Sequence, residues 1–232
     1  FSKLPTYSRY LQVTATPYSL FLQPDGMIEL SNGGHAQPWR PRFTSIVPVH
    51  DRYIGGQQYF VDSRDEASMY SHLFHPISEK CIEVLGRRNK HYLSRGTESK
   101  NIEDLTDAVT SYFIGTAIRS IQEEELGRAY QSSALIHCDI AQKAHKWQSE
   151  LIASVVNGVC RAICSRPQEE RMDMLIRELY HDFEQSNKKA RTQGLIDVKL
   201  PPRTAVIKRM QQIFEREDYR IYVVNSQNDV PN

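Results

Sequence analysis

Between Ile102 and Glu215 apolar residues return every three or four positions, and no other feature constrains the fold of this chain as strongly. Leu105, Ala108, Val109, Tyr112, Phe113, Thr116, Ala117, Ser120 and Ile121 mark one helix, closed by Gln122 to Glu125 and terminated by Gly127. A second runs from Gln142 to about Cys164, with Trp147, Leu151, Ile152, Val155, Val156 and Val159 on its apolar side, until Pro167 breaks it. A third, from Glu169 to Lys189, turns Met172, Leu175, Ile176, Leu179, Tyr180 and Phe183 inward, and a fourth covers Thr204 to Glu215. Stripes of this width need a surface to bury against.

The sequence offers strands as that surface. Leu11 to Thr16, stopped by Pro17, Phe43 to Val49 and Tyr219 to Ser226 carry β-branched residues and read as strands, and Ala134 to Cys138 reads as a buried strand. Turn signals at Pro24-Asp25-Gly26 and Asn32-Gly33-Gly34 enclose Met27 to Leu30 and predict a small hairpin or excursion. Asp197 to Pro202 reads as a short extended segment. After residue 130 the order is strand, helices, strand, which implies a parallel crossover and hence a covered α/β sheet.

The chain has 232 residues, with 29 basic side chains against 28 acidic ones. That balance excludes a polybasic tail as the main device but not a local basic groove. No apolar run approaches the length of a membrane span, and residues 1–30 do not read as a secretory signal. Cys81, Cys138, Cys160 and Cys164 lack the paired knuckles of a zinc site and are expected as buried thiols of a cytoplasmic protein. The chain begins with Phe1 rather than Met and is expected to be a piece of something longer.

Thr14-Ala15-Thr16-Pro17-Tyr18 places two hydroxyls at an expected strand end, where α/β proteins gather function. Thr-Ala-Thr-Pro there resembles the coupling motif that closes the first RecA-like lobe of superfamily-two helicases. Together with Pro48, Tyr53-Ile54-Gly55-Gly56 and Tyr59-Phe60, then Ser132-Ser133-Ala134-Leu135-Ile136-His137 and Val223-Val224-Asn225-Ser226, it resembles the helicase-associated putative-endonuclease family called the Z-one domain. The continuation at Cys138-Asp139 departs from the serine- and arginine-like one of that family.

The resemblance implies incomplete RecA-like lobes with a large helical insertion. Residues 1–60 would end the first lobe, 61–130 form a mainly helical insertion, and 131–232 begin the second lobe. It also implies an ATP-dependent DNA helicase or endonuclease of bacterial restriction or defence. Thr14 to Tyr18 would couple nucleotide state to DNA, and Tyr53, Gly55, Gly56, Tyr59 and Phe60 would form the lobe interface. DNA and the rest of a longer chain, or other defence-complex proteins, would be the partners. No G-x-x-x-x-G-K-[ST] occurs, so ATP and magnesium are expected in the parent protein, in a pocket mostly outside this chain, and this segment alone is expected to be inactive.

Two other functions stay open: a non-catalytic scaffold built on the long helices, and a metal-dependent nuclease. The latter would draw on Asp182, Asp197 and Lys199, with Glu98-Ser99-Lys100 as a similar acid-x-lysine tripeptide. His72-x-x-His75 has metal-ligand spacing, but Pro76 follows at once; His137 is expected as a core histidine. No catalytic residue is assigned. For nucleic acid the candidates are Arg87, Arg88, Lys90, Tyr92 and Arg95, in which a tyrosine interleaves cations, with Ser132 and Ser133 from the resemblance. A second basic set is Lys188, Lys189 and Arg191, followed by Lys199 and Arg203.

Overall fold

A computed structural model describes residues 13, 26–37, 43–50, 53–89, 91–95, 99–138, 142–165 and 170–224; the side chains of residues 94, 95, 142 and 143 are not described. The chain divides into two units, Phe1–Tyr53 and Ile54–Asn232. In the first, strands β1 (Ile28–Glu29) and β2 (His35–Ala36) pair antiparallel, with Ile28 opposite Ala36. Their turn is closed by Leu30 N–H on Gly34 O and by Gly33 N–H on Leu30 O. Gly33 sits at φ 78, a conformation that glycine adopts without steric cost. The expected hairpin is therefore present.

The second unit is helical. Short helices α1 (Gly56–Phe60), α2 (Glu79–Gly86) and α3 (His91–Arg95) precede four longer ones: α4 (Glu103–Glu125), α5 (Gln142–Cys164), α6 (Glu170–Thr192) and α7 (Arg203–Glu215). The three-four repeat thus placed all four long helices to within a few residues. Helix α4 packs against α5, α6 and α7, and α5 also packs against α7. Val109, Phe113 and Ile114 of α4 meet Leu151, Val155 and Val159 of α5, Ile176 of α6 and Val206, Met210 and Phe214 of α7 in one buried cluster. The Phe113 and Phe214 rings lie 4.6 Å apart. On α2, Ser78 caps the first turn by accepting from Cys81 N–H, and Trp147 Nε1–H of α5 donates to Val84 O at 2.8 Å. Helix α4 ends in a left-handed glycine: Gly127, at φ 68, lets Arg128 N–H reach Glu123 O.

This architecture overturns the α/β expectation. Among the described residues the two-stranded hairpin forms the single sheet, and no parallel strands occur. The described residues consequently form no RecA-like lobes, and in the second unit the helices are the body of the fold rather than an insertion in it. Residues 43–49, 134–138 and 219–224 carry β-branched side chains but no strand pairing. Leu135 is 90% exposed and Ile46 83%, so these runs do not form the buried strands their composition suggested. The physical reason lies in the helices. Their apolar stripes are already buried on one another and leave no broad face for a sheet to cover. His137, expected in a core, is exposed for the same reason. Residues 11–12 and 14–17 of the first expected strand and its stop, and residues 225–226 of the last, lie outside the described residues. No helix among the described residues is long and apolar enough to cross a membrane.

Packing of α4 on α6 is close at Gly115, where an added Cβ would meet Phe183 Cζ at 3.4 Å. Gly115→Leu is expected to cost about 1–3 kcal/mol through overpacking. Leu151→Ala, at a site 0% exposed, is expected to cost about 2–5 kcal/mol through loss of transfer energy and the cavity left behind. Urea unfolding of both variants measures these values; a cost near zero at Leu151 would mean the shared core is misplaced.

Candidate functional site

The C-terminal half of α6 and the chain that follows form an open cleft of about 770 Å³. Gly194, at φ 70, turns the chain back: its N–H bonds Arg191 O, and Leu195 N–H bonds Ala190 O. Residues 195–202 then return along α6 and are pinned through their carbonyls. Asn187 Nδ2 donates to Val198 O at 3.1 Å, Gln122 Nε2 of α4 to Lys199 O at 3.1 Å, and Tyr180 Oη to Pro201 O at 2.5 Å. Burial, then the Glu184 charge, raises the Tyr180 phenol above its ordinary value, which keeps it a donor.

The helix supplies Glu184, Lys188, Arg191 and Thr192 to the cleft, and the returning segment supplies Ile196, Asp197 and Lys199. Among the described residues, Lys188, Arg191 and Lys199 have no ion-pair or hydrogen-bond partner for their charged groups. Of the carboxylates there, Glu184 lies 3.6 Å from His181. Three cations without partners, lining a concave surface that is about equally polar and apolar and also carries Glu184 and Asp197, can hold an anionic chain.

The opposite flank of α6 is occupied. Asp182, Ser186 and Lys189 recur at helical spacing and hold the 66–72 loop. His72 Nδ1 lies 3.0 Å from Asp182 Oδ1, Ser186 Oγ donates to Met69 O at 3.0 Å, and Lys189 Nζ donates to Glu66 O at 2.5 Å and to Ser71 Oγ at 2.8 Å. Asp197 and Lys199 line the cleft but Asp182 does not, so this acid-lysine set is not brought together. His75 Nε2 bonds His72 O rather than sharing a ligand with His72. Among the described residues no group of three His, Cys, Asp or Glu could hold a metal ion.

Among the described residues, none of the other sequence candidates lines this cleft. Thr14, Ala15, Thr16, Pro17 and Tyr18 lie outside the described residues, as does Lys90; of the Arg95 side chain nothing is described. Tyr53 is exposed in the first unit. Gly55 and Gly56 open a helix: Gly55 N–H donates to Gln58 Oε1 at 2.9 Å, and Tyr59 and Phe60 are exposed on α1. Arg87 is exposed, and Arg88 pairs with Glu150 at 3.5 Å. Tyr92 is half-buried, with Asn101 Nδ2 donating to its hydroxyl at 3.0 Å. Ser132 Oγ lies 2.9 Å from Tyr112 Oη and 2.8 Å from Thr116 Oγ1, a clip that fixes the chain after α4; Ser133 is exposed. Arg203 pairs with Asp173 at 3.0 Å. Of the cysteines, Cys81 is buried, Cys138 is exposed, and Cys160 and Cys164 are half-buried. Gln122, Asn187 and Tyr180, which shape the cleft, carried no signal in sequence beyond their place on a helix face.

A family model described as the Z1 domain matches residues 104–231, a span that contains all but the first residue of α4, all of α5 to α7, and the cleft. No curated protein and no solved structure matches the chain.

At the start of α4, Asp107 is pushed up to about 6, by burial first and then by Glu103, Asp104 and Glu178, against Arg171. A carboxyl raised from 3.8 to about 6 binds its proton more tightly in the folded state. Its favourable contribution is complete below the unfolded value and is lost as pH rises through the folded one. Asp107→Asn is expected to flatten stability between about pH 4 and pH 7, and to stabilise the protein by about 1–2 kcal/mol at neutral pH once solvent screening is allowed for. Urea unfolding across that range checks it; an unchanged slope would exclude Asp107 as its source.

Proposed function

Because the chain belongs to the Z1 domain family, we propose that it is the DNA-gripping segment of an ATP-dependent DNA-processing protein of the helicase or endonuclease kind that the sequence resemblance implies. The observation that carries this reading is the convergence of Lys188, Arg191 and Lys199 on one cleft. A phosphodiester backbone offers the charge these side chains lack, and binding would release the counterions condensed on it. Nucleotide hydrolysis belongs, on this reading, to other segments of the protein. The sequence has no G-x-x-x-x-G-K-[ST] loop, and among the described residues no group of three His, Cys, Asp or Glu could hold a metal ion.

A scaffold role is a second reading, favoured by the exposed apolar run at Leu135 and Ile136 and by the exposed Ile221, Tyr222 and Val224. Surfaces of that kind suit a protein partner. The metal-nuclease reading has no such support, because Asp182 is committed to His72.

Duplex DNA affinity is expected to fall with salt along a log-log slope of about −3, the value for three neutralised phosphates. Joint replacement of Lys188, Arg191 and Lys199 by Ala is expected to flatten that slope towards zero and to weaken binding about 10–100-fold at low salt, as lost phosphate contacts require. The fold should survive, since none of the three is paired. Anisotropy titrations across a salt series measure the slope. An affinity indifferent to both salt and substitution would favour the scaffold.

A further inference from the structure

Residues 60–74 make a surface loop whose two ends meet. The rings of Phe60 and Phe74 lie edge to face with centroids 6.0 Å apart, although the chain between them would reach about 46–50 Å if extended. Short turns follow one another inside the loop: Ser68 N–H bonds Asp65 O, Ser71 N–H bonds Ser68 O, and Leu73 N–H bonds Tyr70 O. Side chains reinforce them, with Ala67 N–H on Asp65 Oδ1 and Tyr70 N–H on Ser68 Oγ. A segment closed at its ends and bonded to itself is an Ω-loop, which keeps its shape largely through its own contacts. Its attachment to the helices is of another kind. Among the described residues, which include all of 60–74, no loop residue is buried and none joins the shared apolar cluster; Met69, Tyr70 and Leu73 are half-buried. The bonds that join the loop to α6 are polar and lie in one line. Asp182, Ser186 and Lys189, at i, i+4 and i+7, take His72, Met69 O, and Glu66 O together with Ser71 Oγ.

We propose that residues 60–74 are a strap that detaches from α6 as one unit while the four long helices stay packed, with Lys189 as its latch. Hydrogen bonds at a half-exposed surface are exchanged for bonds to water at small net cost. Separating α4 from its neighbours has no such exchange, because it exposes apolar surface. The part of a fold that opens first is the part with few buried apolar contacts, and the strap has none in the shared cluster. Its internal turns do not involve α6, so the loop moves as a body rather than unravelling. Lys189 is the latch because one ammonium holds two points of the loop, Glu66 O and Ser71 Oγ, whereas Asp182 and Ser186 hold one each. Opening bares Asp182, Ser186 and Lys189 along one side of α6. None of this depends on DNA binding.

Hydrogen exchange on the full chain, read by mass spectrometry, tests the strap. Amides of residues 64–73 are expected to exchange as a group and well ahead of those of α4. Lys189→Met is expected to speed the whole group by about tenfold or more, the worth of hydrogen bonds lost from a charged donor, and to leave α4 and α6 unchanged. Ser186→Ala, which removes one clip and no charge, should speed the same group by a smaller common factor, about 2–10-fold. Lys188→Met removes a neighbouring charge that the loop does not use and should leave loop exchange as it was. Loop amides that exchange no faster than those of α4, unequal factors within the loop, or acceleration that spreads into α6 would each overturn the strap. An equal response to Lys188→Met and Lys189→Met would overturn Lys189 as its latch.

Discussion

Burial of α4 by three other helices is the constraint on which the rest of the second unit depends. Leu105, Val109, Phe113, Ala117 and Ile118 are all at most 5% exposed, so this helix is enclosed over most of its circumference. Its polar residues are satisfied locally: Thr106 Oγ1 donates to Ile102 O and Thr110 Oγ1 to Thr106 O. Near its end the buried Glu123 accepts from both Arg119 and Arg128. A carboxylate so enclosed needs partners, and both guanidiniums remain half in water, where their own desolvation is small. The same helix also sets the site. Gln122 fixes the carbonyl of Lys199, Tyr112 and Thr116 clip Ser132, and Phe113 stacks edge-on against Tyr219. Segments that carry no regular structure are thus placed by the most buried helix in the protein.

The four long helices were legible because their signal is internal. A three-four repeat with Gly127 or Pro167 at its end needs no knowledge of what lies across the groove. The strands were misread because theirs is not. Val, Ile, Thr and Tyr suit a pleated surface, but a strand exists only where another edge accepts its hydrogen bonds, and no sequence run states whether that edge is present. Residues 134–138 and 219–224 lack such an edge among the described residues. Once those strands were assumed, the parallel crossover followed; the RecA-like lobes that the resemblance implied need the same sheet, and the two fall together. Family membership survives this correction because it rests on the match over residues 104–231, not on the fold that was attached to it.

The site was legible in part, and helix geometry explains which part. At 100° per residue, Asp182 and Arg191 point about 180° apart on α6, nine positions being two and a half turns. With residues 195–202 returning along the Arg191 flank, Asp182 faces His72 and is not brought to Lys199, although residue types alone permitted it. Lys188 and Arg191, one turn apart, had to share a flank. In the Arg87 cluster two members are engaged within the fold, Arg88 on Glu150 and the Tyr92 hydroxyl on Asn101, whereas Arg87 is exposed. Sequence shows where cations and rings are, but not which of them are already engaged.

That distinction also ranks the three cations of the cleft. Lys188 and Arg191 stand in the last turns of α6, where positive charge is favoured by the helix dipole whether or not a ligand binds. Lys199 has no such explanation. It lies on an extended segment, its backbone carbonyl held by Gln122 and its ammonium without a partner. Elsewhere in the core region the cations that do structural work are paired: Arg203 with Asp173, Arg209 with Glu124 and Ser120, and Lys189 with a carbonyl and a hydroxyl. Asp197 and Glu184 line the same cleft and offset part of the positive charge. Lys199 is therefore the cation of the three whose place neither an ion pair nor a helix end accounts for, and it is the one on which the proposed anion site leans most.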